Sequence, residues 1–255
     1  MRDSRERGPG DDRAASRSEA ERTAARRGEG NALSGLGNAY HSLGDYRRAI
    51  EYLEQALAIA REISAASHSE AQWAAARRGE GQDLSNLGSV YSSLGEYRRA
   101  IEYYEQALAI AREIGDRLGE SNALGYLGSA YHDLGETRRA IEHYEQALAI
   151  AHAIGDRRGE GQDLSNLGSV YSSLGETRRA IEYYEQHLTI AREIRDRLGE
   201  GVASWNLGLA YEEQGELARA VEAMQVYVDF EREHGLPDVE RDAAKLEELR
   251  ARLKQ

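Results

Sequence analysis

The sequence contains five near-copies of one segment, and four of them recur at a fixed spacing of 40 residues. Each copy has a Leu-Gly pair, with a Tyr three residues and an Ala twelve residues after the Gly. The Leu-Gly pairs are Leu36-Gly37, Leu87-Gly88, Leu127-Gly128, Leu167-Gly168 and Leu207-Gly208. A period of this length predicts a stacked array, because each unit can bury its apolar face only against its neighbours. The function is therefore to be sought on a long surface rather than in a catalytic pocket.

Segment 79–117 indicates how one copy folds. Four apolar residues fall at i, i+3, i+7 and i+10, the spacing of one stripe on an amphipathic helix: Leu84, Leu87, Tyr91 and Leu94. Gly95 then supplies a residue that can take the left-handed conformation at which a helix ends. A second helical stripe follows in Ile101, Tyr104, Leu108, Ala111 and Ile114. Each copy is therefore predicted to form a hairpin of two antiparallel helices, A and B.

Six positions of this copy resemble the signature of tetratricopeptide repeats in type and spacing: Leu87, Gly88, Tyr91, Ala100, Tyr104 and Ala107. The period of 40 residues is similar to that of the long-helix variant, the Leu-Gly-Asn-type repeats of spindle-orientation scaffolds and bacterial signalling proteins. The resemblance covers roughly Gly28 to Pro237. It implies an all-α fold, a right-handed superhelical solenoid of five helical hairpins with a C-terminal capping helix.

The predicted organisation has three parts: a disordered N-terminal tail over 1–17, the repeat array over 18–237 and a capping helix over 238–255. The units of the array are expected at about 18–68, 69–118, 119–158, 159–198 and 199–237. The tail is predicted to be disordered because it has almost no apolar content. The capping helix is expected to cover the last apolar face of the array with one stripe. That stripe consists of Val239, Ala243, Leu246, Leu249 and Leu253.

The first interval between copies is 51 residues, so 11 residues are extra. Ser18 and Ser69 begin two similar stretches, each with Glu or Gln three residues later, the pattern of a helix start. One interpretation makes them N-caps of lengthened A helices. The other is a separate short helix broken at Gly28 or Gly79, since a glycine inside a helix costs roughly 1 kcal/mol.

Composition excludes several classes of function. The sequence has no Cys, and none of its seven histidines stands four residues from another, so no metal site and no cofactor are predicted. A net charge of −12 argues against nucleic acid and anionic membranes as partners. The short apolar runs and the charged N-terminus predict neither a membrane span nor a secretory signal, and hence a cytoplasmic location. No arrangement of residues indicates an enzyme.

In the tetratricopeptide family the A helices line the concave surface, and the resemblance places a ladder of polar side chains there. The candidate residues of the peptide-binding groove are Asn31, Asn38, Gln82, Asn86, Asn122, Tyr126, His132, Gln162, Asn166, Trp205 and Asn206. Amide side chains donate and accept hydrogen bonds at once, which suits an extended peptide backbone. The alternative is that short polar residues simply keep an unoccupied face soluble.

The expected function is a non-enzymatic scaffold that binds a partner protein or extended peptide in this groove. A monomer is expected. Two alternatives stay open: a regulatory or sensory module of a larger signalling system, and a scaffold that assembles by self-association. Asn86 and Asn166 are expected to hold the partner's backbone, and Trp205 to pack against an apolar side chain.

Overall fold

The computed structural model describes residues 9–254, with side chains from residue 21 onward. Over this range the chain is all-α, and it has no strand. The helices are α1 (Pro9–Ser42), α2 (Tyr46–Ala65), α3 (Glu70–Ser93), α4 (Tyr97–Glu113), α5 (Arg117–Asp133), α6 (Thr137–Ile154), α7 (Arg157–Ser173), α8 (Thr177–Glu193), α9 (Arg197–Glu213), α10 (Leu217–His234) and α11 (Val239–Leu253).

The chain divides into two compact units, Met1–Gly119 and Glu120–Gln255. In the described part of the first unit, α1 packs on α2, α2 on α3 and α3 on α4. In the second unit, α6 packs on α7, and each later helix packs on the next as far as α11. Short turns join the two helices of each hairpin, α1/α2 to α9/α10, and α11 follows. The prediction of an all-α fold of helical hairpins is confirmed.

Each hairpin turn depends on the residues that follow the A helix. Gly95 adopts a φ of 76°, a conformation that a side chain would strain. Its N–H donates to the carbonyl of Ser92, and the N–H of Glu96 donates to the carbonyl of Tyr91, both at 2.9 Å. These bonds satisfy carbonyls at the end of α3 that have no partner within the helix. The predicted role of Gly95 is confirmed.

The A and B helices of a hairpin meet at the glycine of the Leu-Gly pair. A Cβ placed on Gly88 would lie 2.5 Å from Cε1 of Tyr104, and one on Gly128 would lie 2.7 Å from Cδ1 of Tyr144. Such distances are far below van der Waals contact, so a larger residue would have to displace the tyrosine ring. The neighbouring Leu87 is fully buried. Packing therefore explains why the Leu-Gly pair recurs.

The extra residues lengthen an A helix rather than form a separate one. Helix α3 is continuous from its N-cap Ser69, whose hydroxyl accepts the N–H of Gln72 at 3.3 Å. Gly79 lies inside α3, and a Cβ placed on it would have no other atom within 4 Å. The predicted N-cap at Ser18 is wrong, because α1 already begins at Pro9, a residue that suits the first turn of a helix.

The predicted disordered tail over 1–17 therefore overlaps α1 from Pro9 onward, and residues 1–8 lie outside the described residues. Between Asp11 and Ser18 the sequence has neither glycine nor proline, and it contains the strong helix formers Ala14 and Ala15. Nothing in this stretch ends a helix. The prediction of disorder rested on low apolar content, and apolar content does not measure the preference of these residues for a helix.

Helix α11 packs on α10, as predicted for a capping helix. Leu246 and Leu249 are buried, whereas Leu253 is exposed, so the buried stripe ends earlier than predicted. Polar contacts add to the apolar ones: Nζ of Lys245 donates to Oε1 of Glu212 on α9 at 2.9 Å. Burial of the stripe and this ion pair both hold α11 in place.

Candidate binding groove

The second unit contains a groove of about 750 Å³ between successive A helices, and most of the residues that line it have polar side chains. Its walls come from α5 and α7 and from the start of α9, and α8 contributes one side chain, His187. Leu164 and Leu167 of α7 are buried, and polar side chains of the same helix line the groove. The groove is therefore a surface made largely of A-helix side chains.

Four predicted residues line this groove: Asn122 and Tyr126 on α5, and Gln162 and Asn166 on α7. Tyr126 is 41% exposed. Nε2 of Gln162 donates to Oδ1 of Asn166 at 3.2 Å, one helical turn further on. This bond fixes both amides in orientation and leaves the amide NH₂ of Asn166 and the carbonyl of Gln162 with hydrogen-bonding capacity.

Three other predicted residues of the second unit do not line the groove. Trp205 is half-buried and packs on Tyr227 of α10, with ring centroids 5.5 Å apart. Asn206 and His132 are also half-buried. The prediction for Trp205, contact with an apolar side chain of a partner, does not include Tyr227. In three of the other copies the position equivalent to Tyr227 is alanine.

In the first unit, the predicted residues lie on α1 and α3. Asn31 and Asn38 are exposed on α1. On α3, Nε2 of Gln82 donates to Oδ1 of Asn86 at 3.1 Å, which repeats the amide pair of α7. The oriented amide pair therefore occurs in both units.

Two buried aspartates were missed by the sequence analysis. Asp83 on α3 and Asp163 on α7 are only 5% and 6% exposed. Burial raises the pKa of Asp83 to about 6 and that of Asp163 to about 7. The sequence did contain a signal of their burial, because the equivalent positions in the other copies are Ala32, Ala123 and Ala203.

The two aspartates have different partners. Oγ of Ser34 on α1 donates to Oδ1 of Asp83 at 2.6 Å. Gly125 of α5 stands where Ser34 stands in the first copy, and it has no hydroxyl to donate. Within the described residues, Asp163 accepts no hydrogen bond.

Three other polar side chains of the groove are either hydrogen-bonded within the protein or uncharged. Asp156 and Asp196 cap α7 and α9, where they accept the N–H groups of Gly159 and Gly199 at 3.0 and 2.9 Å. His187 is buried, and burial lowers its pKa, so its imidazole is neutral at pH 7.

Tandem hairpins with buried Leu-Gly contacts and polar A-helix faces define an α-helical repeat protein. The family model described as tetratricopeptide repeat matches residues 84–153 and 155–230, and a second model of the same description matches residues 30–62. The chain belongs to the tetratricopeptide repeat family, as its resemblance predicted.

Several solved structures have a fold similar to that of this chain. BtubC (BKLC) from P. vanneervenii is 22% identical with a TM-score of 0.69, over 92% of this chain and 90% of that chain. Aspartyl phosphate phosphatase F from Bacillus subtilis is 16% identical with a TM-score of 0.75, over 98% of this chain and 62% of that one. No curated protein matches this chain. At these identities the likeness shows the fold alone.

A third similar structure is the Signal Transduction ATPase with Numerous Domains protein with a tetratricopeptide repeat sensor from Pyrococcus horikoshii. It is 21% identical with a TM-score of 0.71, over 88% of this chain but only 33% of that chain. Among the described residues, no helix is long and apolar enough to cross a membrane. The same part of the chain contains no group of three or more His, Cys, Asp or Glu side chains placed to hold a metal ion.

Proposed function

We propose that this protein is a non-enzymatic interaction module that binds a partner protein or extended peptide in the groove lined by its A helices. The observation that carries the proposal is the groove between α5, α7 and α9, with its oriented amides. Binding sites are typically concave and have a few placed polar groups, and this groove fits that description.

The amides of α7 suit a peptide backbone. Because Asn166 accepts from Gln162, its NH₂ group can donate to a partner's carbonyl, and the carbonyl of Gln162 can accept a partner's N–H. Asn122 lines the same groove from α5, and Tyr126 adds exposed ring surface for an apolar side chain. Trp205 and Asn206 of α9 do not line this groove and are proposed as contacts beyond it, where Tyr227 packs on the ring of Trp205.

The first unit carries a polar A-helix face of its own. Gln82 and Asn86 repeat the oriented pair of α7, and Asn31 and Asn38 are exposed on α1. These four residues are the proposed contacts of the first unit, and His132 at the end of α5 is a further proposed contact of the second unit.

The test uses pools of degenerate decapeptides, labelled with fluorescein at the C-terminus, and fluorescence anisotropy. A double variant, Asn122→Ala with Asn166→Ala, should weaken binding of the pools by about tenfold, since each lost hydrogen bond contributes roughly 0.5–1.5 kcal/mol. The matched control is Arg178→Ala, a change at an exposed residue of α8 outside the groove. If Arg178→Ala abolished binding and the double variant bound normally, the groove would not be the site.

A sensory module within a larger signalling system is a second candidate. It is supported by the likeness to the ATPase of Pyrococcus horikoshii, which carries a tetratricopeptide repeat sensor and of which the match covers 33%. In that case the groove would still bind a peptide, and binding would change the activity of an attached or associated domain. Measuring that activity with and without a bound peptide separates the two candidates.

A further inference from the structure

Asp163 presents a buried carboxylate to the groove without a hydrogen-bond donor among the described residues. It is 6% exposed and lines the groove beside Asn122 and Asn166. Burial of a polar group without a partner costs about 1–3 kcal/mol, and more for a charged group. A donor brought by a ligand would relieve this cost, so the carboxylate is a natural contact for a ligand.

The near-copy in the first unit shows which donor is missing. There Oγ of Ser34 reaches Oδ1 of Asp83 at 2.6 Å. At the equivalent place in the second unit, a Cβ on Gly125 would lie 3.4 Å from Oδ1 of Asp163. Gly125 therefore leaves open the space that the serine side chain fills in the first unit.

We propose that Asp163 recognises a primary ammonium group of the bound peptide, either a lysine side chain or the N-terminal amine. This inference rests on the proposed function and specifies its ligand. An ammonium group has three N–H donors and no acceptor, which matches a carboxylate that lacks donors. The space beside Gly125 is that of a small side chain, so it suits a compact ammonium better than a planar guanidinium.

The other titratable groups of the groove leave Asp163 without a counter-ion. His187 of α8 is neutral at pH 7, and Asp156 and Asp196 are negative and engaged as helix caps. Arg158 at the start of α7 also lines the groove, but it is exposed and forms no ion pair with Asp163. The remaining titratable groups that face this region are Tyr126 of α5 and Tyr144 of α6.

The raised pKa of Asp163, about 7, adds a pH dependence. An ammonium group binds the ionised carboxylate, so the affinity for a lysine side chain should rise as the pH increases through about 7 and the carboxyl loses its proton. An α-amine loses its own proton near about pH 8, so its affinity should pass through a maximum between the two pKa values. Asp156 adds to the effect of burial on this pKa by charge repulsion, and a bound cation would oppose both.

The experiment compares decapeptide pools that differ in one feature, by fluorescence anisotropy at about pH 7.5, where most of the Asp163 carboxyl is ionised and most of a free α-amine is still charged. One set is N-acetylated and carries a fixed Lys, Arg or Gln, and another lacks Lys but has a free N-terminus; the degenerate positions exclude Lys and Arg throughout. We expect a pool with an ammonium group to bind at least about tenfold more tightly than the acetylated Gln pool, because hydrogen bonds to charged groups are strong. A preference for the fixed Lys assigns the side chain, and a preference for the free N-terminus assigns the α-amine.

Variants of the protein test whether Asp163 causes the preference for an ammonium group. Asp163→Asn should abolish the preference, and Gly125→Ser should reduce it, since the new hydroxyl can donate to Asp163 as Ser34 does to Asp83. The matched control Asp83→Asn should keep it. Circular dichroism melting of each variant verifies that it is folded, and Gly125→Ser tests the proposal even if Asp163→Asn were misfolded.

The outcomes separate the two proposals. If every pool bound the wild type equally, if the Arg pool bound as tightly as the preferred ammonium pool, or if Asp163→Asn kept the preference, the ammonium site would be wrong while groove binding stood. If no pool bound at all, the proposed function would fail and this inference with it.

Discussion

Segments 79–120 and 159–200 differ at four positions, yet they place the same buried aspartate in different surroundings. Asp83 accepts a hydrogen bond from Ser34, whereas Asp163 faces Gly125 and the open groove. The difference arises from the preceding hairpin rather than from the copy that holds the aspartate. In a repeat array, the chemistry of one unit is therefore decided in part by the unit packed before it.

The two copies also share contacts that should respond alike to mutation. A Cβ on Gly88 or on Gly168 would lie 2.5 Å from a tyrosine ring, Tyr104 or Tyr184. Gly88→Ala and Gly168→Ala should each lower the free energy of unfolding by roughly 1–3 kcal/mol through overpacking. Urea denaturation measures both, and a large difference between them would break the equivalence of the copies.

A control for these variants is Gly79→Ala, because Gly79 lies inside α3 with nothing within 4 Å of the added carbon. This change should leave the protein at least as stable, since alanine favours a helix by up to about 1 kcal/mol over glycine. If Gly79→Ala destabilised the protein, the stability lost in Gly88→Ala and Gly168→Ala could not be assigned to the clash with the tyrosine ring alone.

The aspartates should differ in how they link stability to pH. Each has a pKa in the folded protein above its unfolded value near 4, so folding disfavours ionisation, and stability falls as the pH rises from about 4 to the folded pKa. The fall should end near pH 6 for Asp83 and near pH 7 for Asp163. At pH 8, Asp163→Asn should stabilise the fold by about 1 kcal/mol more than Asp83→Asn, as one pKa unit corresponds to about 1.4 kcal/mol. Thermal denaturation across this pH range measures the difference, and equal effects would contradict it.

Ser34, whose hydroxyl distinguishes the surroundings of Asp83 from those of Asp163, can be removed by mutation. Ser34→Ala should raise the pKa of Asp83 toward about 7, the value of Asp163, because the hydrogen bond that lowers it is lost. The expected loss of stability at neutral pH is about 1 kcal/mol. Carbon-13 NMR titration of the aspartate carboxyls measures the pKa, and an unchanged pKa would show that Ser34 is not the cause.

The smallest predicted effect concerns the equivalent turns after the B helices α4 and α8. Gly115 has a φ of 68°, and its counterpart Arg195 has a φ of 58°, the single positive φ of a non-glycine residue in the described chain. Arg195→Gly should stabilise the protein by about 0.5–1 kcal/mol, because glycine takes this conformation without steric strain. Chemical denaturation measures the change, and a loss of stability would mean that contacts of Arg195 outweigh the strain.

Four residues of the candidate groove could be predicted from the sequence. Asn122, Tyr126, Gln162 and Asn166 lie in it because their helical register relative to the Leu-Gly pair places them on the polar A-helix face. Asp163 was missed because the signal of its burial, alanine at the equivalent position of three other copies, appears only when the copies are aligned with one another. The packing of Trp205 on Tyr227 was also missed, because the two residues are far apart along the chain.

The sequence by itself determined the helical hairpins, their turns and their buried faces, because these depend on residues a few positions apart and recur in every copy. It did not determine whether α3 is one helix, where α1 begins, or which aspartate has a partner. The partner of each aspartate depends on contacts between helices that are distant in sequence. Only the tertiary structure brought Ser34 to Asp83 and left Gly125 opposite Asp163, and it thereby separated two nearly identical segments.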